Sequence, residues 1–357
     1  VLLSFALLAA LLAASFAQPA SAAEPTFTVG WSVYAGWNPY FYMARSGILK
    51  RWADKYGVVI KVQRFDYAAS LDAFVSKNID ACTMTNMEAL DMPAAAGIDS
   101  TSVIIGDYSN GNDAVLARNN VSLAQLPGKP ILLVQKTVSE YLLERAMVIN
   151  GLSGELPHLR LLNTSDSDIV GAYLGDKHNQ VAVTWKPLVS EILDQDSGVK
   201  ELFDSSKIPG EILDLLVVRT DVLKRSDGSG ERFAKAITGA WYETMSELMG
   251  GPMQARAISG SAAASDDSVA SYKNQLLTTH LFATPVSAAQ FATDAALKQK
   301  MDLVRQFCFH HDLLGQGVGS VDDVAIIYPD GTIQGKKDRV RLRMDATYMK
   351  LAAEGKL

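Results

Sequence analysis

The chain has 357 residues, is 48% hydrophobic and 20% charged, and carries a formal net charge of -6. At roughly 150 residues per domain this suggests two lobes, and the apolar content excludes a disordered chain. The acidic balance argues against a nucleic-acid surface, which needs clustered Lys and Arg. The two cysteines, Cys82 and Cys308, are too few for a zinc or iron–sulfur cluster. They read as small buried hydrophobes, with one bridge between them left open.

Residues 1–23 are apolar through Ala14 and then turn small and polar. Ala20-Ser21-Ala22 fits the A-x-A pattern of a secretory signal peptide, so residues 1–22 are expected to be a signal peptide and the remainder exported. The apolar core is shorter than the ~20 residues a membrane span needs. No Lys or Arg precedes Arg45, so the positive start typical of such a peptide is lacking.

From Thr26 the pattern alternates strand and helix. Thr26 to Ser32 predicts a first strand and Phe41 to Tyr56 a helix. Val58 to Phe65 predicts a second strand, Ala69 to Lys77 a helix and Asp80 to Thr85 a third strand. Met87 to Ala96 predicts a helix stopped by Gly97, and Ser102 to Gly106 a fourth strand. This order implies a parallel sheet covered on both faces. Strands at Pro130–Gln135, Leu159–Leu162 and Gln180–Thr184 then alternate with helices at Ser139–Asn150, Asp166–Leu174 and Leu188–Gln195. After a strand at Asp214–Arg219 the pattern is mostly helical, beginning with Gly230–Met249. No linker-like stretch separates this tail, so it is expected to pack back on the first lobe.

Open α/β sheets bind ligands at the carboxyl ends of their strands. After strand one, Trp31 to Tyr40 holds four aromatics in ten residues, with Gly36 and Pro39 marking a turn. That composition suits a pocket wall better than a buried element. After strand three, Asn86 and Glu88 stand at the start of a helix, where capping alone is a competing explanation. Gly106 to Asp113 carries Asp107, Tyr108 and Asp113 in one predicted loop, for which a solvated turn is the bland alternative. In the second lobe, Ser165 and Asp166 open a helix and Trp185 ends a strand. The candidate ligand contacts are Trp31, Tyr34, Trp37, Asn38, Asn86, Glu88, Asp107, Asp113, Ser165, Asp166 and Trp185.

Among the charged residues of these loops Glu88, Asp107, Asp113, Asp166 and Asp168 are acidic and only Lys186 is basic. An oxyanion site usually adds Arg, so the excess favours a small cation or a neutral, donor-rich amide. No HExxH, CxxC, GxGxxG or GxSxG motif occurs, and no catalytic residue, metal ligand or cofactor is assigned. His310-His311 are adjacent and cannot chelate from one helical face; they read as an exposed helix end.

Several stretches in order resemble the periplasmic solute-binding proteins of ABC importers, in the branch of nitrate, sulfonate, taurine and thiamine-precursor binders. They are Trp37-Asn38-Pro39-Tyr40, Ser46-Gly47-Ile48-Leu49, Asn78-Ile79-Asp80-Ala81, Asp107 to Val115, Leu126 to Pro130, and Val183 to Pro187. Within that branch, Trp31 to Tyr40 and Pro209 to Leu213 are most similar to the binding proteins encoded beside urea carboxylase genes.

The resemblance implies an α/β, two-lobed, type II-like periplasmic binding protein fold, with the cleft between lobes and the helical tail packed on lobe one. It places residues 24–115 and 213–357 in lobe one and 116–212 in lobe two. It implies a monomeric, non-enzymatic periplasmic protein that hands guanidinium or urea to the transmembrane subunits of a permease. Binding of taurine or another sulfonate, nitrate or a pyrimidine thiamine precursor is the alternative, with a thiamine-pyrimidine synthase-like enzyme on the same fold behind it.

Overall fold

The computed structural model describes residues 23–357, so the expected signal peptide lies outside the described residues. The strands are β1 Thr26–Trp31, β2 Val59–Arg64, β3 Ala81–Thr85, β4 Ser100–Ser109, β5 Asp113–Arg118, β6 Pro130–Leu133 and β7 Arg160–Asn163. They continue as β8 Val181–Trp185, β9 Val199–Asp204, β10 Leu213–Arg219, β11 Thr279–Leu281, β12 Ala325–Ile327, β13 Ile333–Gln334 and β14 Val340–Met344. They form two sheets. One runs β13-β12-β14-β4-β10-β3-β1-β2 with β11 beside β4; the other runs β7-β6-β8-β5-β9.

The chain passes between the sheets twice, through Asn110–Asn112 on the way out and Ser205–Ile212 on the way back. The returning strand β10 lies between β3 and β4 and is antiparallel to both. The first sheet is therefore mixed, where strand–helix alternation alone implied a parallel one. Every residue of β10 is buried, which is why its apolar run is continuous rather than alternating.

Local chemistry explains where the predicted elements break. The single helix expected over 41–56 is two helices, Asn38–Ser46 and Ile48–Tyr56, separated by Gly47 in the left-handed region (φ 88). The expected helix at 87–96 is a π-helical turn, Leu90–Ala94, with Pro93 inside it. Asp107 and Asp113 do not share one loop: β4 extends through Ser109 and β5 begins at Asp113. Strands β5 and β9 were not anticipated. The tail is helical, with Ser229–Met249 its longest element, but it also contributes β11 to β14 to the first sheet.

The two faces of the second sheet go to different cores. Ala114, Leu116 and Ala182 pack with Ile169, Tyr173, Val189 and Ile192 on the outer side. Val115, Val181 and Val183 belong to the large core that also holds Phe27, Trp241 and the Val138–Ile149 helix. That alternation is the period-two signature of a strand. Cys82 and Cys308 are buried, free thiols, and no helix of the described residues is long and apolar enough to cross a membrane.

Candidate functional site: an aromatic cavity among buried carboxylates

The cleft wall begins just after β1. Trp37 and Asn38 both donate their backbone N–H to Tyr34 O at 2.9 Å, and the Tyr272 hydroxyl donates to Ala35 O at 3.0 Å. This pinned turn presents Tyr34 and Trp37, whose rings meet edge-on with centroids 5.2 Å apart. Trp37 lies 5.3 Å from Tyr67, and Tyr67 lies 5.9 Å from Trp185 in a T-shaped pair. Trp185 ends β8 of the second sheet, and its indole N–H donates to Val33 O of the first lobe at 3.3 Å. Tyr67 N–H reaches the other way, to Asp166 Oδ2 at 3.3 Å.

Sheet register assembles the acids. Asp214 of β10 pairs with Thr85 of β3 on one side and with Asp107 of β4 on the other. Asp113 pairs with Trp185 across β5 and β8. Glu88, Asp107, Asp113 and Asp214 are 0, 0, 3 and 3% exposed. None of them has a Lys, Arg or His partner among the described residues. The Tyr34 hydroxyl donates to Asp107 Oδ1 at 3.3 Å, while Asp107 Oδ2 and Asp214 Oδ2 are buried with no hydrogen-bond donor among the described residues.

Burial pushes Asp107 up to about 7, with Asp113 adding repulsion and the neighbouring Asp214 carboxyl and Tyr34 hydroxyl opposing it. It pushes Asp113 up to about 7 as well, against a hydrogen bond from Ser109. Asp214 is raised well above the usual carboxylate range by burial, then by the charge of Asp107. Such shifts are what a low-dielectric site with several acids and no counter-cation must produce.

These groups surround a cavity of about 20 Å³, lined by Tyr34, Trp37, Tyr67, Thr85, Asp113, Val138, Trp185, Ile212 and Asp214. That is room for little more than one water molecule, so a larger ligand needs the walls to part. No basic side chain lines it. Gly36 completes the construction: a Cβ there would overlap the Asp107 carboxylate.

Of the expected contacts, Tyr34, Trp37, Asp113 and Trp185 line the cavity, with Asp107 packed against Tyr34 and Asp214, and Glu88 behind the wall. Four others do not line it. Trp31 is a core residue beside Phe41. Asn38 donates to Ser265 Oγ at 3.0 Å and holds the turn. Asn86 donates to Glu211 O and accepts from Leu213 N–H, both at 3.0 Å, clamping the returning strand. Ser165 lies among Ser167 and Asp168 near the surface.

Asp166 borders a separate, outer depression with Arg64 and the far side of Trp185. Sequence reasoning missed Tyr67, Thr85, Val138, Ile212 and Asp214. Two had a visible signal: Tyr67 follows the end of β2, and Asp214 is a carboxylate opening an otherwise apolar strand.

The chain matches no family model and no curated protein in sequence. It is similar in structure to the periplasmic aliphatic sulphonate binding protein SsuA of Escherichia coli, with a TM-score of 0.64, 16% identity, and coverage of 81% of this chain and 94% of that one. The alkanesulfonate-binding protein SsuA of Xanthomonas axonopodis pv. citri, bound to MOPS, gives a TM-score of 0.64 at 16% identity, covering 82% and 96%. A Candida albicans gene product exhibiting the generic periplasmic binding protein fold gives 0.56 at 15% identity, covering 82% and 96%. The chain has the periplasmic binding protein fold. At these identities the likeness carries the fold alone.

Proposed function

We propose that the protein captures a small planar cation of the guanidinium type between its lobes, as the non-enzymatic solute-binding component of an ABC importer in the periplasm. One observation carries the ligand class: buried acids from both sheets meet around an aromatic-walled cavity that no basic residue lines. A guanidinium ion answers each feature. Its N–H groups pair with carboxylates at charge-assisted strength, and its poorly hydrated faces suit aromatic rings. Urea has the same shape and donors but offers no charge to offset the acids.

The sulfonate reading draws support from the names of the structural neighbours. Against it stands the sign of the cavity, since a sulfonate would sit among acids without a guanidinium or ammonium partner.

The proposal also holds that the lobes close about Asn110–Asn112 and Ser205–Ile212, the two connections between the sheets. The test is calorimetry and thermal shift with guanidinium chloride, urea, sodium nitrate, taurine and methanesulfonate. A ligand at 100 times its dissociation constant adds about 2.7 kcal/mol of stability. Guanidinium should bind well ahead of urea; preferential binding of methanesulfonate, taurine or nitrate would overturn the proposal.

A further inference from the structure

Glu88 is fully buried, yet it does not line the cavity. Its partners do. Glu88 Oε1 accepts the Val138 backbone N–H at 3.0 Å, and Oε2 accepts the Thr85 hydroxyl. The direction of the Thr85 bond follows from what lies on the other side of its hydroxyl. Tyr67 Oη accepts Thr85 N–H at 3.1 Å, and Thr85 Oγ1 accepts Met87 N–H at 3.2 Å. The Thr85 hydroxyl proton goes to Glu88, and Tyr67 is held to the same group through Thr85. Burial raises the Glu88 carboxyl above the usual range, and the bonds from Thr85 and Val138 act against that and favour its ionised form.

Val138 is the first residue of the twelve-residue helix Val138–Ile149, which packs on the second sheet. Glu88 follows β3 of the first sheet. The hydrogen bond between them therefore joins the lobes. A helix start offers unpaired N–H groups and a positive dipole end, and so attracts an anion. Here that demand is met from within the chain. Val138 N–H goes to Glu88, Ser139 N–H goes to Thr137 Oγ1 at 3.3 Å, and Lys136 N–H goes to Glu140 Oε2 at 2.8 Å.

We infer that Glu88 is an internal anion: it fills the seat at the start of the Val138–Ile149 helix, ties the lobes together there, and fixes Tyr67 and Thr85 in the cavity wall. It is a positioning residue and makes no ligand contact. This inference rests on the reading of the cavity as a cation site that closes between lobes. It also explains how a helix start can border the cavity without turning it into an oxyanion site.

Formate supplies the test, because it can refill the seat that Glu88→Ala empties. Guanidinium is titrated by calorimetry into the unmodified protein, Glu88→Ala and Glu88→Gln, each with and without sodium formate, with sodium chloride at equal ionic strength as control. Glu88→Ala should lose about 30-fold or more in affinity, the size expected when buried donors of the cavity wall lose their acceptor. Formate should recover about tenfold of that loss by occupying a preformed anion seat, and should leave the unmodified protein unchanged.

Glu88→Gln keeps the shape and one acceptor, so it should fall between the two and ignore formate. Guanidinium affinity within twofold of the unmodified protein in Glu88→Ala, or a loss that formate does not relieve, would overturn the inference. If Glu88→Ala does not fold, an unweakened Glu88→Gln overturns it. If the unmodified protein binds no guanidinium, the cation reading fails alone. The seat is then judged by whether formate raises the melting temperature of Glu88→Ala and not that of the unmodified protein.

Discussion

Asp214 stands directly opposite Asp107 across the antiparallel β4–β10 pair, and each keeps a buried carboxyl oxygen without a hydrogen-bond partner and without a basic side chain beside it among the described residues. Two like-charged groups on adjacent positions of a buried sheet are destabilising unless one keeps its proton. The arrangement makes sense for a ligand that brings the missing positive charge.

Replacing Asp107 or Asp214 by Asn keeps the shape and removes the charge. Each change should weaken guanidinium by roughly 2–5 kcal/mol, the range for breaking a buried hydrogen-bonded charge pair. Urea should lose much less, and the ligand-free protein should become more stable as the repulsion is relieved. Calorimetry with both ligands and a thermal melt check this. Equal losses for urea and guanidinium would show that these groups contribute hydrogen bonds and no charge.

The pH dependence has a definite sign. Asp107 and Asp113 are held up to about 7 by burial, above the ordinary aspartate value of about 4. The folded protein then binds more protons than the unfolded chain between those values. Stability of the empty protein should fall as pH rises from about 4 through about 7. Cation affinity should rise over the same window, because ligand and protons compete for the same oxygens. Melting temperatures across a pH series, with and without guanidinium, test this; a ligand-induced shift that shrinks with rising pH would contradict it.

Gly36→Ala probes the packing of the turn on Asp107. The added Cβ would meet the carboxylate itself, so the aromatic turn or Asp107 must move. Overpacking of this kind costs typically about 1–3 kcal/mol of stability. Guanidinium affinity should fall further than stability does, because the displaced groups are those around the cavity. A variant that loses stability but binds normally would separate the turn from the site.

Trp185→Ala removes the aromatic face that the second lobe contributes, along with the indole hydrogen bond to Val33. A lost cation–π contact of this kind is worth about 0.5–2 kcal/mol, and the fluorescence change on binding should diminish. Trp31→Phe, at a core position beside Phe41, should leave both affinity and the ligand-induced fluorescence change in place. Normal binding by Trp185→Ala would remove the second lobe's aromatic from the site.

How much of this was legible in the sequence depends on the range of the interaction. The aromatic turn Trp31 to Tyr40 and the strand-ending Trp185 could be read locally, because a strand end fixes where the next side chains go. Trp31 and Asn38 belong to that same stretch yet face inward, since Trp31 closes a buried strand and Asn38 opens a helix packed on the core. Asp214 was hidden because its role comes from pairing with Thr85 and Asp107, residues 129 and 107 positions earlier, by subtraction of their numbers. Asn86 and Glu88 were read as contacts by position alone. Only the long-range partners Glu211, Leu213 and Val138 reveal that they hold strands and lobes in place.

The short Asn110–Asn112 connection has a mechanical consequence. It carries Asp107 on the first sheet and Asp113 on the second, so like charges face each other across one of the two joints of the molecule. On the proposed closure about this joint, their repulsion is a spring that favours opening once both are ionised, and a bound cation turns the same spring into a clasp. Opening and closing then need no dedicated moving part. Concentrated salt cuts the screening length to about 3 Å near 1 M, so it should slacken the spring once water enters the cleft.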